Sequence, residues 1–479
     1  MILEKMLING ELVESESGRW LDCIAPASEQ VVGQVPLASA KDVGEAVEAA
    51  ETAFPAWERL GVEGRAKYLN TMADKLAERS EEIAALEAMD TGNTYKYVIK
   101  DMEDACGFLR FYAGLGWEVK GETIPSTSGN LHFTVREPYG VVAKIVPFNH
   151  PVMFASRIGA PLIAGNTVIL KVPREASLSI CRFAAICRDV FPPGTVNIIT
   201  GAGSEAGDAI VRHPKIKRIG FIGSEQTGLD IQRAAAESAV KLLTLELGGK
   251  NPMIVFPDAN LEKAIPSVLG GMSFAWSGQS CGSVSRLFLH DSIYDEFLSK
   301  LAALADNIIV GDPMDENSGM GPIIHKKQYE KVLYYINAGK EDGARLVSGG
   351  NRPEGELFKK GYWVRPTIFA DVTPDMRIYK EEIFGPVLSV IRWSDTEDVI
   401  RLANGLNLGL TGSVWSQNLN TALSAARQIQ SGTIWINGVS NHFKAAPFGG
   451  YKNSGIGKEE SLSEIVSYTQ EKLINIFSE

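Results

Sequence analysis

Two rhythms alternate along the chain. Between residues 41 and 89, apolar side chains recur at three- and four-residue spacing with charges between them. That period predicts helices over 41–54 and 63–89. Pro55 is expected to end the first, since its ring clashes with the preceding turn and it offers no N–H. Asp90-Thr91-Gly92 reads as the stop after the second. From residue 141 the rhythm shortens. Val- and Ile-rich runs at 141–146, 167–172, 195–200, 217–222 and 242–247 read as strands. Helical stretches at 177–190, 205–213 and 226–238 separate them. Continuously apolar strands alternating with helices predict a parallel sheet covered on both faces. Such sheets bind ligands beyond the carboxyl ends of their strands. A second alternating region spans about 250–445, with a helix over 292–308 and strands near 387–391 and 433–436. Residues 119–138 read as a hairpin outside the alternation. Residues 462–477 alternate without a core of their own and are expected to pair with another element or another subunit.

Composition narrows the class. The chain has 479 residues, 45% hydrophobic and 22% charged, which fits a folded chain of about three domains at ~150 residues each. Its 47 Lys and Arg against 58 Asp and Glu give a formal charge of −11, which disfavours a nucleic-acid partner. Five scattered cysteines (Cys23, Cys106, Cys181, Cys187, Cys281) fit a reducing compartment rather than a disulfide framework. No C-x-x-C pair occurs, so no metal site is expected. The N-terminus lacks the basic start and apolar run of a signal peptide. The most apolar stretch, 151–170, is broken by Arg157 and Asn166 and is too interrupted to span a membrane. A cytoplasmic protein without a membrane partner is expected.

Three residues stand out chemically. Cys281 lies among small neighbours in FAWSGQSCG, which leaves a thiol reachable; a lone cysteine is otherwise a small buried hydrophobe. Glu246 closes an apolar strand before Gly248-Gly249, where active-site carboxylates sit; a solvated strand-end acid is the plainer reading. Asn149 follows a strand between Pro147 and Pro151. Its amide is either an oxyanion donor or a turn cap. Two glycine turns, Gly201 to Gly207 with Gly203 between, and Gly223-Ser224 to Gly228, follow strands and open helices. Each offers backbone N–H groups to phosphate, or is a plain connection.

Together these segments resemble the aldehyde dehydrogenase superfamily over essentially the whole chain. The matching pieces are PFNHP (147–151), Lys171 at a strand end, GSEQTG (223–228), LELGGKNP (245–252), F-x-x-x-G-Q-x-C-x-x-x-x-R (Phe274 to Arg286), EEIFGP (381–386) and PFGGYKNSG (447–455). The resemblance implies an NAD(P)-dependent, non-acylating oxidoreductase. It makes Cys281 the nucleophile, Glu246 the base that activates the deacylating water, and Asn149 the oxyanion amide. Around NAD or NADP it sets Pro147, Phe148, Lys171, Gly203, Gly207, Gly223, Ser224, Gly228, Leu247, Glu382 and Phe384. Arg286 is implied to be structural. A thiol has a pKa of ~8.5, so the nucleophile needs a source of activation that the sequence does not reveal.

The chain also departs from the family. Phe148 replaces a tryptophan, and His150 takes a position often held by an aromatic. Arg174 stands where many members carry a glutamate for the ribose 2′-hydroxyl. A guanidinium suits phosphate, so either Arg174 favours NADP or it points to solvent and NAD is used. Arg157 either is structural or faces an acidic substrate. His150, Met153, Phe154, Ser280, His442 and Phe448 are expected to line a partly aromatic, partly polar substrate pocket, suited to a polar, aromatic or semialdehyde-type aldehyde. Alternatives are a catalytically silent binding or structural protein on the same fold, or an esterase side activity.

The expected fold class is α/β. It comprises a Rossmann-like parallel-sheet cofactor domain (1–115 plus 139–248), a second α/β catalytic domain (249–447), and a β oligomerisation arm with the C-terminal segment (116–138 plus 448–479). The resemblance implies a homodimer or homotetramer.

Overall fold

The structure is a computed structural model and describes residues 1–477; the last two residues of the expected C-terminal segment lie outside them. Two sheets carry the architecture. The first has eight strands in the order Gly455–Ile456, Leu242–Glu246, Arg218–Ile222, Val141–Ile145, Thr167–Lys171, Val196–Ile199, Met6–Ile8 and Glu11–Val13. Its five central strands run parallel, and antiparallel strands finish both edges. Every residue of Val141–Ile145, Thr167–Lys171 and Arg218–Ile222 is buried, as a sheet covered on both faces requires. The second sheet has seven strands, in the order Arg345–Ser348, Thr367–Ala370, Val387–Trp393, Arg286–His290, Pro252–Val255, Thr411–Trp415 and Thr433–Ile436. All its pairings are parallel except that of Arg345–Ser348.

The third unit is a three-stranded antiparallel sheet. Thr469–Ile476 pairs along its full length with Leu131–Pro138, which pairs on its other side with Thr123–Ile124. The stretch 448–461, grouped above with this arm, touches other parts: Tyr451–Lys452 pairs with Leu408–Gly409, and Gly455–Ile456 extends the first sheet.

Several local expectations change. Pro55 does not end its helix, which runs from Ala40 to Arg59. Trp57, 1% exposed, anchors the last turn and donates from Nε1 to the Leu162 carbonyl. That packing outweighs the ~3 kcal/mol a proline costs inside a helix. At the other end Ser39 and Asp42 form a reciprocal capping box, which satisfies two orphan donors. The stretch 63–89 is two helices, Gly61–Glu78 and Ser80–Thr91, divided at Arg79. The second stops at Gly92, whose φ of +80° closes the helix in the left-handed region open to glycine at little cost. Over 205–213 a wide turn at Gly203–Gly207 precedes a one-turn helix, Asp208–Arg212. The strands before residue 37, including Trp20–Ala25 against Gln30–Pro36, are absent from the periodicity reading.

Candidate active site

The strand Val141–Ile145 leads directly into Pro147-Phe148-Asn149. Asn149 is 4% exposed. Its carbonyl accepts from Asn93 Nδ2 at 2.9 Å. Pro151 opens the short helix Pro151–Ala155 at its first position, where a missing N–H costs nothing. Val152 N–H donates to the Glu87 carboxylate at 3.1 Å. The end of the helix Ser80–Thr91 and the residues just beyond it thus hold the asparagine turn from behind. Phe148 meets Phe384 edge-on at 5.7 Å and His325 at 5.9 Å.

Glu246 ends the strand Leu242–Glu246. It is 4% exposed, and neither carboxylate oxygen has a hydrogen-bond partner among the described residues. Burial, reinforced by Glu459, holds its carboxyl well above the usual carboxylate range. A Cβ at Gly449 would lie 2.4 Å from Glu246 Oε1, so only glycine leaves that oxygen room.

Cys281 follows the turn Phe274–Trp276, where Ser277 and Gly278 both take positive φ. Asn251 pins its backbone. Asn251 Nδ2 donates to the Cys281 carbonyl at 2.7 Å and to the Ser283 carbonyl at 2.9 Å, while its Oδ1 accepts from Thr411 N–H at 3.0 Å. Burial pushes the Cys281 thiol up to about 12, with Glu382 and Glu246 adding to the shift. The thiol is therefore protonated at neutral pH in this state.

Asn149, Glu246 and Cys281 line one cavity of about 490 Å³. So do His150, Met153, Phe154, Ser280, His442 and Phe448. Trp276, Asp101 and Glu460 join them and were not singled out from sequence. Trp276 lies five residues before Cys281, inside the motif. Asp101, Asp104 and Phe108 share a helical face at three- and four-residue spacing, a signal available but unused. Glu460 carries no local signal. His150 Nδ1 lies 2.7 Å from Asp101 Oδ2, and His442 Nδ1 lies 3.1 Å from both oxygens of Glu460.

Arg157 also lines this cavity, but its charge is engaged. Nη1 meets Glu459 at 3.0 Å and Nη2 meets Glu460 at 2.7 Å. The guanidinium also lies 4.7 Å from the Phe154 ring centre. Glu459 is shared with Lys144 at 3.3 Å, which meets Glu464 at 2.9 Å. All five of these charged side chains are nearly fully buried. Burial alone would raise the Glu460 carboxyl, yet Arg157 and His442 hold it down at about 2.

A second cavity of about 490 Å³ is lined by Lys171, Gly203, Gly207, Phe221, Thr227 and Ile231, among others. A Cβ at Gly203 would meet open space, and one at Gly207 almost so. Burial lowers Lys171 to about 8. Ser224 caps the 14-residue helix Glu225–Ser238, accepting from Thr227 N–H. An apolar slot, a lysine and a helix N-terminus suit a dinucleotide. A Cβ at Gly223 would come within 2.4 Å of the Phe221 ring, and one at Gly228 within 2.7 Å of Leu247. Glu382 Oε1 accepts from Gly249 N–H at 2.9 Å, beside the cysteine loop. Arg174 is exposed and lines a separate cavity with Glu175, His325, Lys326 and Lys327. The structure does not bring it to the cavity that Lys171 lines. Arg286 is buried and donates to the carbonyls of Lys250, Leu402 and Ala403.

The chain matches the model of the aldehyde dehydrogenase family over residues 12–474. It is 45% identical to aldehyde dehydrogenase tropH of Talaromyces stipitatus over 463 residues, covering 95% of this chain and 90% of that protein. It is 40% identical to retinaldehyde dehydrogenase 3 of Mus musculus, covering 98% and 92%. Among solved structures, the NAD+ complex of aldehyde dehydrogenase from Bacillus cereus superposes with a TM-score of 0.96 at 41% identity, covering 99% of this chain and 97% of that one.

Proposed function

Because the chain belongs to the aldehyde dehydrogenase family, we propose that it oxidises an aldehyde to the carboxylic acid through a covalent Cys281 intermediate. The observation that carries this reading is the convergence of Cys281, Glu246 and Asn149 on one cavity. As the Cys281 sulfur adds to the aldehyde carbon, its thiol proton passes to Glu246, the base lining the same cavity, and on to solvent. The alkoxide that forms takes hydrogen bonds from Asn149 Nδ2 and the Cys281 backbone N–H. Lys171, the Gly203–Gly207 turn, Ser224 and Glu382 would hold a nicotinamide dinucleotide, which would accept the hydride released from the adduct carbon as its C=O bond re-forms. Cys281 then carries the acyl group as a thioester. Glu246 takes a proton from water, which attacks the thioester carbon, and the acid leaves as Cys281 recovers its thiol. A carboxyl raised above the ordinary range holds a proton more readily than a free glutamate, which suits a base. Two uncompensated carboxylate oxygens facing the cavity support release to water rather than to an acyl acceptor.

The Bacillus cereus and Staphylococcus aureus relatives bind NAD+, and we assign a nicotinamide dinucleotide here. Use of NADP is an extension that rests on Arg174 alone. The five free cysteines support a cytoplasmic setting, and no helix among the described residues is long and apolar enough to cross a membrane. Exposed Leu131, Leu473 and Ile476 on the arm support a homo-oligomer built on that sheet. We divide the chain into cofactor, catalytic and arm units, a reading that the two large sheets and the three-stranded sheet support outside 448–461.

The deciding experiment follows reduced nicotinamide formation with wild type and Cys281→Ala. Turnover by wild type that Cys281→Ala abolishes is expected. Turnover retained by Cys281→Ala would refute the mechanism.

A further inference from the structure

We propose that the cavity is built for a neutral aromatic aldehyde bearing ring hydroxyls, which two carboxylate-held histidines read as hydrogen-bond donors. The inference rests on the reading of Cys281 as the reacting thiol. Three observations carry it.

The first is tautomeric. His150 Nδ1 lies 2.7 Å from Asp101, and His442 Nδ1 lies 3.1 Å from both oxygens of Glu460. A carboxylate only accepts, so each Nδ1 donates, and in the neutral imidazole Nε2 then carries the ring's lone pair. Neither Nε2 has a hydrogen-bond partner among the described residues. Both histidines line the cavity. The walls therefore offer acceptors to whatever enters.

The second is shape. His150 packs 5.0 Å from Trp276 and edge-on to Phe154 at 5.8 Å, and His442 lies 4.5 Å from Phe448. His150 is half-buried among aromatic rings and the exposed His442 lies against Phe448, surfaces that favour a flat ring through stacked or edge-on contacts. A plain alkyl chain would cover two imidazole acceptors without replacing the water they lose.

The third is charge. The cations lining the cavity are Arg157 and Lys444, against the carboxyl groups of Asp101, Asp104, Glu246 and Glu460. Arg157 is held by Glu459 and Glu460, and Lys444 by Asp104 at 3.0 Å. An aldehyde carrying its own carboxylate finds no free cation here and faces surplus negative charge. A hydroxyl donor meets the acceptors without that penalty.

The test compares kcat/KM for benzaldehyde, its hydroxy and methoxy derivatives and 4-carboxybenzaldehyde, below the pH at which the phenol ionises. Methoxy matches hydroxy in ring electronics but cannot donate. The best hydroxylated substrate should exceed its methoxy counterpart by about tenfold or more, the scale of one well-formed hydrogen bond. In His150→Phe or His442→Phe that ratio should fall toward one. Asp101→Asn should lower it too, by freeing the tautomer of His150. Equal rates for hydroxy and methoxy pairs, preference for the carboxylated aldehyde, or a ratio that survives both histidine variants would each overturn the proposal. If the variants fail to fold, the wild-type ratios still decide it. Oxidation of benzaldehyde without any hydroxyl preference sinks the substrate class alone. Failure to oxidise any aldehyde, in protein that binds the dinucleotide, sinks the reading of Cys281 beneath it.

Discussion

Asn93 holds the backbone of the proposed oxyanion donor, and removing it should slow the chemistry from outside the cavity. Its Nδ2 donates to the Asn149 carbonyl at 2.9 Å, with Asn93 2% and Asn149 4% exposed. Asn93→Ala leaves that carbonyl buried without its donor. The cost of such an orphan is about 1–3 kcal/mol. At ~1.36 kcal/mol per decade, that is about 5- to 150-fold in rate if the whole loss appears in the transition state. Deleting the amide itself in Asn149→Ala should cost about 10²–10³-fold, as for other oxyanion donors. The assay measures kcat and kcat/KM for both single variants and the double variant, alongside thermal unfolding. A positioning role predicts that kcat and kcat/KM fall together in Asn93→Ala. It also predicts little further loss when Asn93→Ala is added to Asn149→Ala, since both act through one amide. Losses that simply add, or a lowered melting temperature with full activity in the folded fraction, would refute the reasoning and leave Asn93 a structural residue.

Three further outcomes follow. Glu246→Gln should leave acylation intact but stall hydrolysis, giving a burst of reduced nicotinamide near one per site and then slow turnover; absence of a burst with equally slow acylation would remove Glu246 from deacylation. Alkylation of Cys281 without cofactor should be slow at neutral pH and accelerate as pH rises toward about 12, where burial has moved the thiol; a plateau below pH 8 would contradict this. Glu460 sits at about 2 when folded, below an ordinary glutamate at ~4.3. Its stabilising contribution is thus complete above that ordinary value and lost as pH falls toward 2. Wild type should lose melting temperature across that window more steeply than Glu460→Gln, and parallel curves would count against the coupling.

The strands that end at Glu246 and Lys171, and the one that leads into Asn149, were legible because buried parallel strands announce themselves as apolar runs, and glycines or prolines mark their exits. The cysteine loop was legible through small residues packed around one thiol. Pro55 misled because the helix end is decided by Trp57, whose burial against Leu162 is invisible to local pattern. The N-terminal strands escaped because runs as short as Met6–Ile8 fall below any periodic window. The cavity wall was legible only in part. Glu459 and Glu460 reach Arg157 across 302 and 303 residues of sequence, and no local signal pairs them. Of the two alternatives for Arg174, a phosphate contact or a solvent-facing side chain, the exposed guanidinium lining a cavity apart from Lys171 accords with the second.

The buried cations also set an order of assembly. Lys144 and Arg157 belong to the first sheet and its adjoining turns, yet their counter-charges Glu459, Glu460 and Glu464 arrive within the last 21 residues of the chain. Arg218 joins them, 3.3 Å from the Tyr468 ring centre and bonded to Ser467. During synthesis these cations stand unmatched until residues 459–464 leave the ribosome, and an unpaired buried charge is costly. The first sheet therefore cannot close early around a partly made chain. A nascent polypeptide halted before residue 459 should remain open to protease, and release of the final stretch should convert it at once to the resistant form.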